Sequence, residues 1–423
     1  FGFFALLITC RIGEDQVMTR RYDVIVVGGG MVGATLACCL GNTPLSVAVI
    51  EGQHPQPFAS GQPLDLRVSA ISIASRRIFE GIGAWNNIAA MRLCPFRRMR
   101  VWEITEGTEF RSRDVQYPEL GYIVENRVIQ LGLLQRLGEF DNVDLLCPAK
   151  SCRIDYHPRG SVIELDDGSL LEARLLVAAD GGHSQVRLAA AIGVTAWDYE
   201  QSALVLTVET AYGQQDITWQ RFTESGPQAF LPLPGPYASL VWYQHPEEVR
   251  RLQSLDDGEL LNALYEAFPR ELGEVVQVLD RGSFPLRRQH AQRYVKEGVA
   301  LIGDAAHMIH PLAGQGVNIG LLDAAALAQV LMAAQAKGKD FGDLRVLQEY
   351  EAMRWRNNLI MMTAMDLFYR VFGTPSFPLK LLRNLGLSLA QRLHPARLAV
   401  MRYAMGLEGN LPRLAQGEPL TVA

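Results

Sequence analysis

Residues 23 to 33 read Asp-Val-Ile-Val-Val-Gly-Gly-Gly-Met-Val-Gly. Four apolar strand-formers run straight into glycines, so a buried strand has to become a helix within a few residues. Each glycine then serves a distinct need. Gly28 permits the tight turn, Gly30 lets the backbone approach a phosphate, and Gly33 lets the helix pack closely on the strand. Residues 34 to 40 continue as helix, 45 to 50 read as a second strand, and Glu51 closes it, 23 residues beyond Gly28. An acid at roughly that offset, about 20 residues, can accept hydrogen bonds from ribose hydroxyls. Strand, turn, helix, strand and acid in that order point to a dinucleotide whose pyrophosphate rests on the helix N-terminus, against the plainer reading of a glycine-rich turn with no ligand.

The chain has 423 residues, 48% of them hydrophobic, enough for a large core spread over two or three domains. A net charge of −5 provides no basic field to attract nucleic acid, so no nucleic-acid partner is expected. Cys10, Cys38, Cys39, Cys94, Cys147 and Cys152 form no CxxC pair and no Cys/His set with zinc spacing. Free thiols in a reducing, cytoplasmic setting and no metal site are expected, with Cys38 and Cys39 as small core residues. Residues 1 to 17 read as a leader foreign to the fold: Phe1 to Thr9 is apolar but too short to span a bilayer, and Met18 stands just before the first strand. The leader is expected to be non-native or disordered. Oligomeric state is not readable.

The nucleotide-binding pattern is interrupted. A loop at 54 to 63 leads to strands and loops between 98 and 121, then to a helix from about residue 126. A strand at 172 to 178 runs into Ala179-Asp180-Gly181-Gly182, and a third strand, 299 to 302, runs into Gly303-Asp304. An Asp at the end of a buried strand can accept hydrogen bonds from sugar-alcohol hydroxyls. Gly314 to Asn318 supplies a bare turn at the start of a helix running to about residue 334. Its dipole contributes about 0.3 to 2 kcal/mol to an adjacent anion, enough to bias a redox equilibrium but not to drive chemistry. Residues 200 to 285 alternate apolar and polar positions between Gly/Pro turns, as in a mainly antiparallel sheet. Inserted between the second and third motifs, that sheet would wall a pocket. Its aromatics, Trp219, Phe222, Phe230, Trp242 and Tyr243, read individually as core and collectively as a pocket for a flat apolar ring.

The three motifs, in this order from residue 28 to residue 323, resemble those of the single-component FAD-dependent aromatic hydroxylases of the para-hydroxybenzoate hydroxylase type. The stretch HPLAGQGVNIGLLD at 310 to 323 is similar to the signature of the ubiquinone-biosynthesis hydroxylases. Segments at 219–223, 226–233, 239–243 and 365–369 look most like the branch acting on a polyprenylated benzoquinol of the demethoxyubiquinol type. The resemblance implies that Gly28, Gly30, Gly33 and Glu51 hold the ADP half of FAD, with Asp180 in a motif shared between FAD and pyridine nucleotide. Asp304, beside Gly303, would contact the ribityl chain, and Arg67, Arg127 and Gln130 would line the flavin. Pro311 and the turn of Gly314, Gly316, Val317 and Asn318 would flank its reactive edge. Ala179 replaces a Gly found in many relatives, and is nearly as small.

The expected architecture is α/β: an interrupted Rossmann-like FAD-binding domain (18–97, 126–199 and 286–345), an inserted mainly antiparallel substrate domain (98–125 and 200–285), and a C-terminal helical region (346–423). The implied reaction has reduced flavin meet O₂, form a C4a-hydroperoxide and pass the distal oxygen to an electron-rich quinol or phenol carbon. The protein orients the ring and excludes water. With one GxGxxG fold, NAD(P)H as electron donor would bind transiently in a groove. His307 and His310 read equally as acid–base candidates or as scaffold, so no catalytic base is named. A halogenase would carry Trp-x-Trp-x-Ile-Pro, which is absent, and a non-catalytic subunit of a quinone-biosynthesis complex would have lost a flavin motif. Between 367 and 407 no acid occurs, while Arg370, Lys380, Arg383, Arg392, Arg397 and Arg402 stand among apolar residues. This stretch reads either as a helical cap with a solvated basic face or as a peripheral contact with the inner face of the membrane or with a partner complex.

Overall fold

A computed structural model describes residues 19–103, 107–269, 274–309, 316–373, 398, 401–402 and 405–420. The leader, His310, Pro311, Gly314 and residues 374–397 of the basic stretch lie outside the described residues. Arg402 is described and pairs with Glu408 at 3.1 Å.

The chain opens with β1 (Thr19–Val27), α1 (Met31–Cys39) and β2 (Val47–Ile50), then β3 (Val68–Ser72), α2 (Ile73–Gly81), α3 (Trp85–Met91) and β4 (Cys94–Phe96). Next come β5 (Arg98–Trp102), β6 (Gly107–Arg111), β7 (Gly121–Glu125), α4 (Asn126–Leu137) and β8 (Val143–Leu146). A hairpin-like run of β9 (Ser151–Asp155), β10 (Ser161–Leu165) and β11 (Leu170–Ala178) precedes α5 (Gln185–Ala189). The middle of the chain is β12 (Val194–Thr210), β13 (Ile217–Thr223), β14 (Gly226–Pro232), β15 (Tyr237–Gln244), α6 (Pro246–Ser254), α7 (Asp257–Ala267) and β16 (Val275–Ala291). The rest is β17 (Val295–Lys296), β18 (Val299–Leu301), β19 (His307–Met308), α8 (Gly316–Ala336), α9 (Leu344–Gly373) and α10 (Arg413–Gln416).

The first sheet has the order β17-β18-β11-β1-β2-β8, and from β18 to β8 its neighbours run parallel. Val24 to Val27 are buried without alternation, as a strand covered on both faces requires. In register, Val27 lies beside Ala178, and Ala178 beside Leu301. The three glycine-containing turns therefore emerge side by side at the carboxyl edge of one sheet, where ligands of open α/β sheets bind. Helix α8 is, among the described residues, the one helix long and apolar enough to cross a membrane, yet 72% of its apolar window is buried. It packs against α1 in the core, and a Cβ on Gly320 would come within 2.7 Å of Val32 and 3.1 Å of the Gly303 backbone.

The second sheet has the order β19-β16-β12-β15-β14-β13-β5-β6, antiparallel except where β13 meets β5. It spreads beyond 200–285: β12 starts at Val194, β16 continues to Ala291, and β19 from the third motif joins its edge. Strand β7, expected among the substrate strands of 98–125, pairs instead with β3 and β4 in a small third sheet. All five of its residues are buried, which suits a central strand rather than an edge. Helices α6 and α7 cover the outer face of the second sheet. Pro246 starts α6 with two acids in its first turn, and Asp256 and Glu259 close a capping box on α7.

Candidate active site

At the first turn the backbone explains the glycines. Gly28 has φ +105°, and a Cβ there would lie 2.3 Å from the Ala179 carbonyl oxygen. A Cβ on Gly33 would lie 1.9 Å from the Gly28 oxygen. Around Gly30 there is open space, since nothing approaches within 4 Å of a Cβ placed there. Gly30 is also the N-cap of α1, which has neither a side-chain cap nor an acid in its first turn. Its amides are left for an anion, as a pyrophosphate requires. Glu51 accepts the Gly29 N–H at 2.9 Å on one oxygen and the Gln53 N–H at 3.0 Å on the other. Each oxygen keeps a lone pair for a ribose hydroxyl. From α4, Gln130 Nε2 donates to the Gly29 carbonyl at 3.0 Å and so supports the turn from behind.

The other two motifs bring carboxylates to the same edge. Asp180 accepts the Gln185 and Val186 amides on one oxygen, capping α5, while its buried second oxygen has no hydrogen-bond partner among the described residues. Burial raises its carboxyl above the usual range. Asp304 lies in the 3₁₀ turn Gly303–Ala305. Its side chain opens into a cleft of about 600 Å³ and has no hydrogen-bond partner among the described residues. Its exposed surface faces this cleft rather than the outside, so the surrounding protein still raises its carboxyl by burial, against the opposing charges of His307 and Arg67.

The cleft separates the two large sheets. Gly30, Ala179 and Asp304 line one side, and Ala203, Val205 and Tyr243 line the other. Gly316 and Val317 border it at the start of α8, and Arg67 enters it with its guanidinium 5.2 Å from the Phe284 ring centroid. Two other residues singled out from sequence point elsewhere. Arg127 is held by Asp65 at 2.7 and 2.8 Å and by the carbonyls of Gln56 and Pro57, clamping the loop after Glu51. Asn318 is buried, donates to the Ala70 carbonyl, and accepts from the Ser72 amide and the Ser75 hydroxyl, so its side chain staples α8 to β3 and α2.

Strand alternation decides which aromatics reach the cleft. Trp219, Phe230 and Trp242 share a core with Val249, Leu252, Leu260 and Leu264 beneath α6 and α7. Their neighbours Ala229, Leu231 and Val241 face inward. Of the expected ring-pocket aromatics, Tyr243 lines the cleft, and the space for a flat ring comes mostly from small side chains opposite large ones. His307 is buried, with Nε2 2.5 Å from Asp323 Oδ2, which is the scaffold arrangement. Motif reasoning gives Asp323 no role, although it is the one charged residue in α8 and an isolated buried charge demands partners.

Residues 155–359 match the FAD binding domain family. The chain is 43% identical over 386 residues to the 3-demethoxyubiquinol 3-hydroxylase of Escherichia coli (strain K12), covering 91% of this chain and 98% of that protein. The chain belongs to the FAD-dependent hydroxylases of ubiquinone biosynthesis. It is also 40% identical over 406 residues to ubiquinone hydroxylase UbiL of Rhodospirillum rubrum, covering 94% of this chain and 93% of that protein. Among solved structures, PqsL of P. aeruginosa, determined in complex with 2-aminobenzoylacetate, aligns with TM-score 0.74 and 25% identity over 84% of this chain and 97% of that chain.

FAD is thus this hydroxylase's cofactor, and the residues present suit it. The open space at Gly30, the remaining lone pairs of Glu51 and the Asp304 carboxylate, unpartnered among the described residues, match a pyrophosphate, a ribose and a polyhydroxylated chain along the sheet edge. When bound, FAD supplies the oxygen activation, a reaction that no side chain can perform alone.

Proposed function

We propose that this hydroxylase transfers one atom of O₂ to the ring of a polyprenylated benzoquinol of the demethoxyubiquinol type, with NAD(P)H as reductant. The observation that carries the reading is the 43% identity that runs through nearly the whole of both chains. The inner face of the second sheet supports it. An apolar cavity of about 70 Å³, lined by Phe96, Met99, Phe110 and Met401, shares Ala229 and Leu231 with the cleft. A quinol ring in the cleft would extend its first isoprene unit past Ala229 into this space, burying apolar carbon at about 0.8 kcal/mol per CH₂.

In this reading the chain's own residues bind, orient and exclude water. The first turn of α1 and Glu51 fix the ADP half, Asp304 fixes the ribityl chain, and the small apolar wall of Ala203, Val205 and Val241 keeps water from the reacting edge. The titratable side chains that line the cleft among the described residues are Arg67, Tyr243, Arg287 and Asp304. Burial pushes the Tyr243 phenol well above its usual range, so it stays neutral near pH 7. The reading therefore assigns no protein base to the step.

Quinone profiling by mass spectrometry in cells lacking the gene tests the assignment. Accumulation of the demethoxy intermediate supports it, and accumulation of an earlier polyprenylphenol moves the chain to a sister step. Because such substrates reside in lipid, we also propose peripheral contact with an anionic membrane through the basic stretch at Arg383, Arg392 and Arg397. Failure of the purified protein to float with anionic vesicles would remove that part.

A further inference from the structure

Asp323 is fully buried in the middle of α8. Its Oδ1 accepts from Arg354 Nε at 2.8 Å and from Asn358 Nδ2 at 3.0 Å, both on α9. Its Oδ2 lies 2.5 Å from His307 Nε2 and accepts the backbone N–H of Gly303 at 3.2 Å. The cluster extends outward, since Asn358 Nδ2 lies 3.3 Å from the Tyr294 hydroxyl, which lies 3.0 Å from His290 Nε2. Burial alone would raise the Asp323 carboxyl, but the charges and hydrogen bonds of His307 and Arg354 outweigh it and bring it down to about 2. It is an ionised group at neutral pH.

A buried ion pair is costly, and apolar side chains of similar volume often serve stability as well or better. What an apolar residue at 323 could not do is hold the Gly303 amide. That amide belongs to the residue immediately before Asp304, and Gly303 has φ +57°, a left-handed bend that sets the direction in which Asp304 leaves the end of β18. His307, four residues further on, fixes the other limb of the same turn to the same carboxylate.

We infer that Asp323 is a positioning residue of the cofactor site: it pins the Gly303–Asp304 turn from behind, so that Asp304 is set for the ribityl chain before FAD arrives. Arg354 and Asn358 make α9 the outer support of that turn. The inference rests on FAD as cofactor and is independent of which quinol is oxidised, so quinone profiling and the test below can fail separately.

The full chain, stripped of FAD, is titrated with FAD and with ADP, in the wild type and in Asp323→Asn. Loss of a charge-assisted anchor is expected to weaken FAD by about tenfold or more, while ADP, which uses the Gly28–Glu51 end, binds within about twofold of wild type. Equal losses for both ligands would make Asp323 a general support of the fold, and an unchanged FAD affinity would show that the turn holds without it; either overturns the inference. Hydrogen exchange of the wild type gives an answer that does not depend on the variant folding. The Gly303 amide should be as protected without FAD as with it, and fast exchange in the FAD-free protein would refute pre-positioning.

Discussion

Replacing Asp304 by Ala separates cofactor binding from folding more cleanly than any other change in the cleft. The carboxylate has no protein hydrogen-bond partner among the described residues, so its removal leaves no buried donor unpaired, and its side chain faces open cleft rather than packed core. Its burial also disfavours the charged form, so the FAD-free variant should be at least as stable as wild type near neutral pH. The loss falls on the ligand. A hydrogen bond to a charged acceptor is worth about 1.5 to 3 kcal/mol, so losing one converts to a weakening of FAD binding between about tenfold and about 150-fold. The assay is the flavin-to-protein absorbance ratio of purified material, followed by a fluorescence titration of the FAD-free protein, with thermal unfolding as control. Full yellow occupancy in the variant would refute the ribityl role, and a collapse of FAD-free stability would refute the claim that Asp304 is not part of the packing.

Two further outcomes follow from the same geometry. Ala229→Phe, which fills the junction between the cleft and its apolar extension, should abolish turnover of a prenylated quinol while sparing FAD content and activity on a tail-free quinol; equal loss on both would show that the tail does not pass there. His290 is depressed to about 4 by burial, then by the neighbouring His307 and Arg288 charges, against an ordinary value near 6.5. The unfolded chain therefore takes up a proton between those values that the folded chain does not, and stability falls as the pH drops from 6.5 to 4, by up to about 3 kcal/mol from this group. Chemical denaturation of His290→Gln should show a shallower decline across that window, and an identical slope would count against it.

The parallel core was legible because its strands announce themselves: buried runs such as Val24 to Val27 end in glycines, and at Gly28 and Gly33 the contacts leave no room for a side chain. The second sheet was legible from alternation, but the roles of its two faces were not. Trp219, Phe230 and Trp242 attracted attention as a ring pocket, yet α6 and α7 supply an apolar cover that draws large side chains outward and leaves Ala229 and Val241 beside the cleft. Deciding this requires knowing that the segment 246–267 folds back as helices over the sheet. Arg127 and Asn318 show another limit, since a motif places a residue near the site without saying where its side chain turns. Asp323 was readable as an oddity, a lone charge in an apolar helix. Its partners lie 16, 31 and 35 residues away on other elements, and no local spacing brings them together.

Strands β12 and β16 are each 17 residues long and paired along much of their length, and β16 carries β19 from the nucleotide-binding side on its edge. Floor and roof are thus stitched where β19 pairs with β16, Gln289 beside Met308 and His290 beside His307, and swinging them apart like a clamshell would break that main-chain pairing at every turnover. Exchange of reductant, quinol and product is better served by traffic through the ends of the slot, with the walls standing still while smaller pieces step aside.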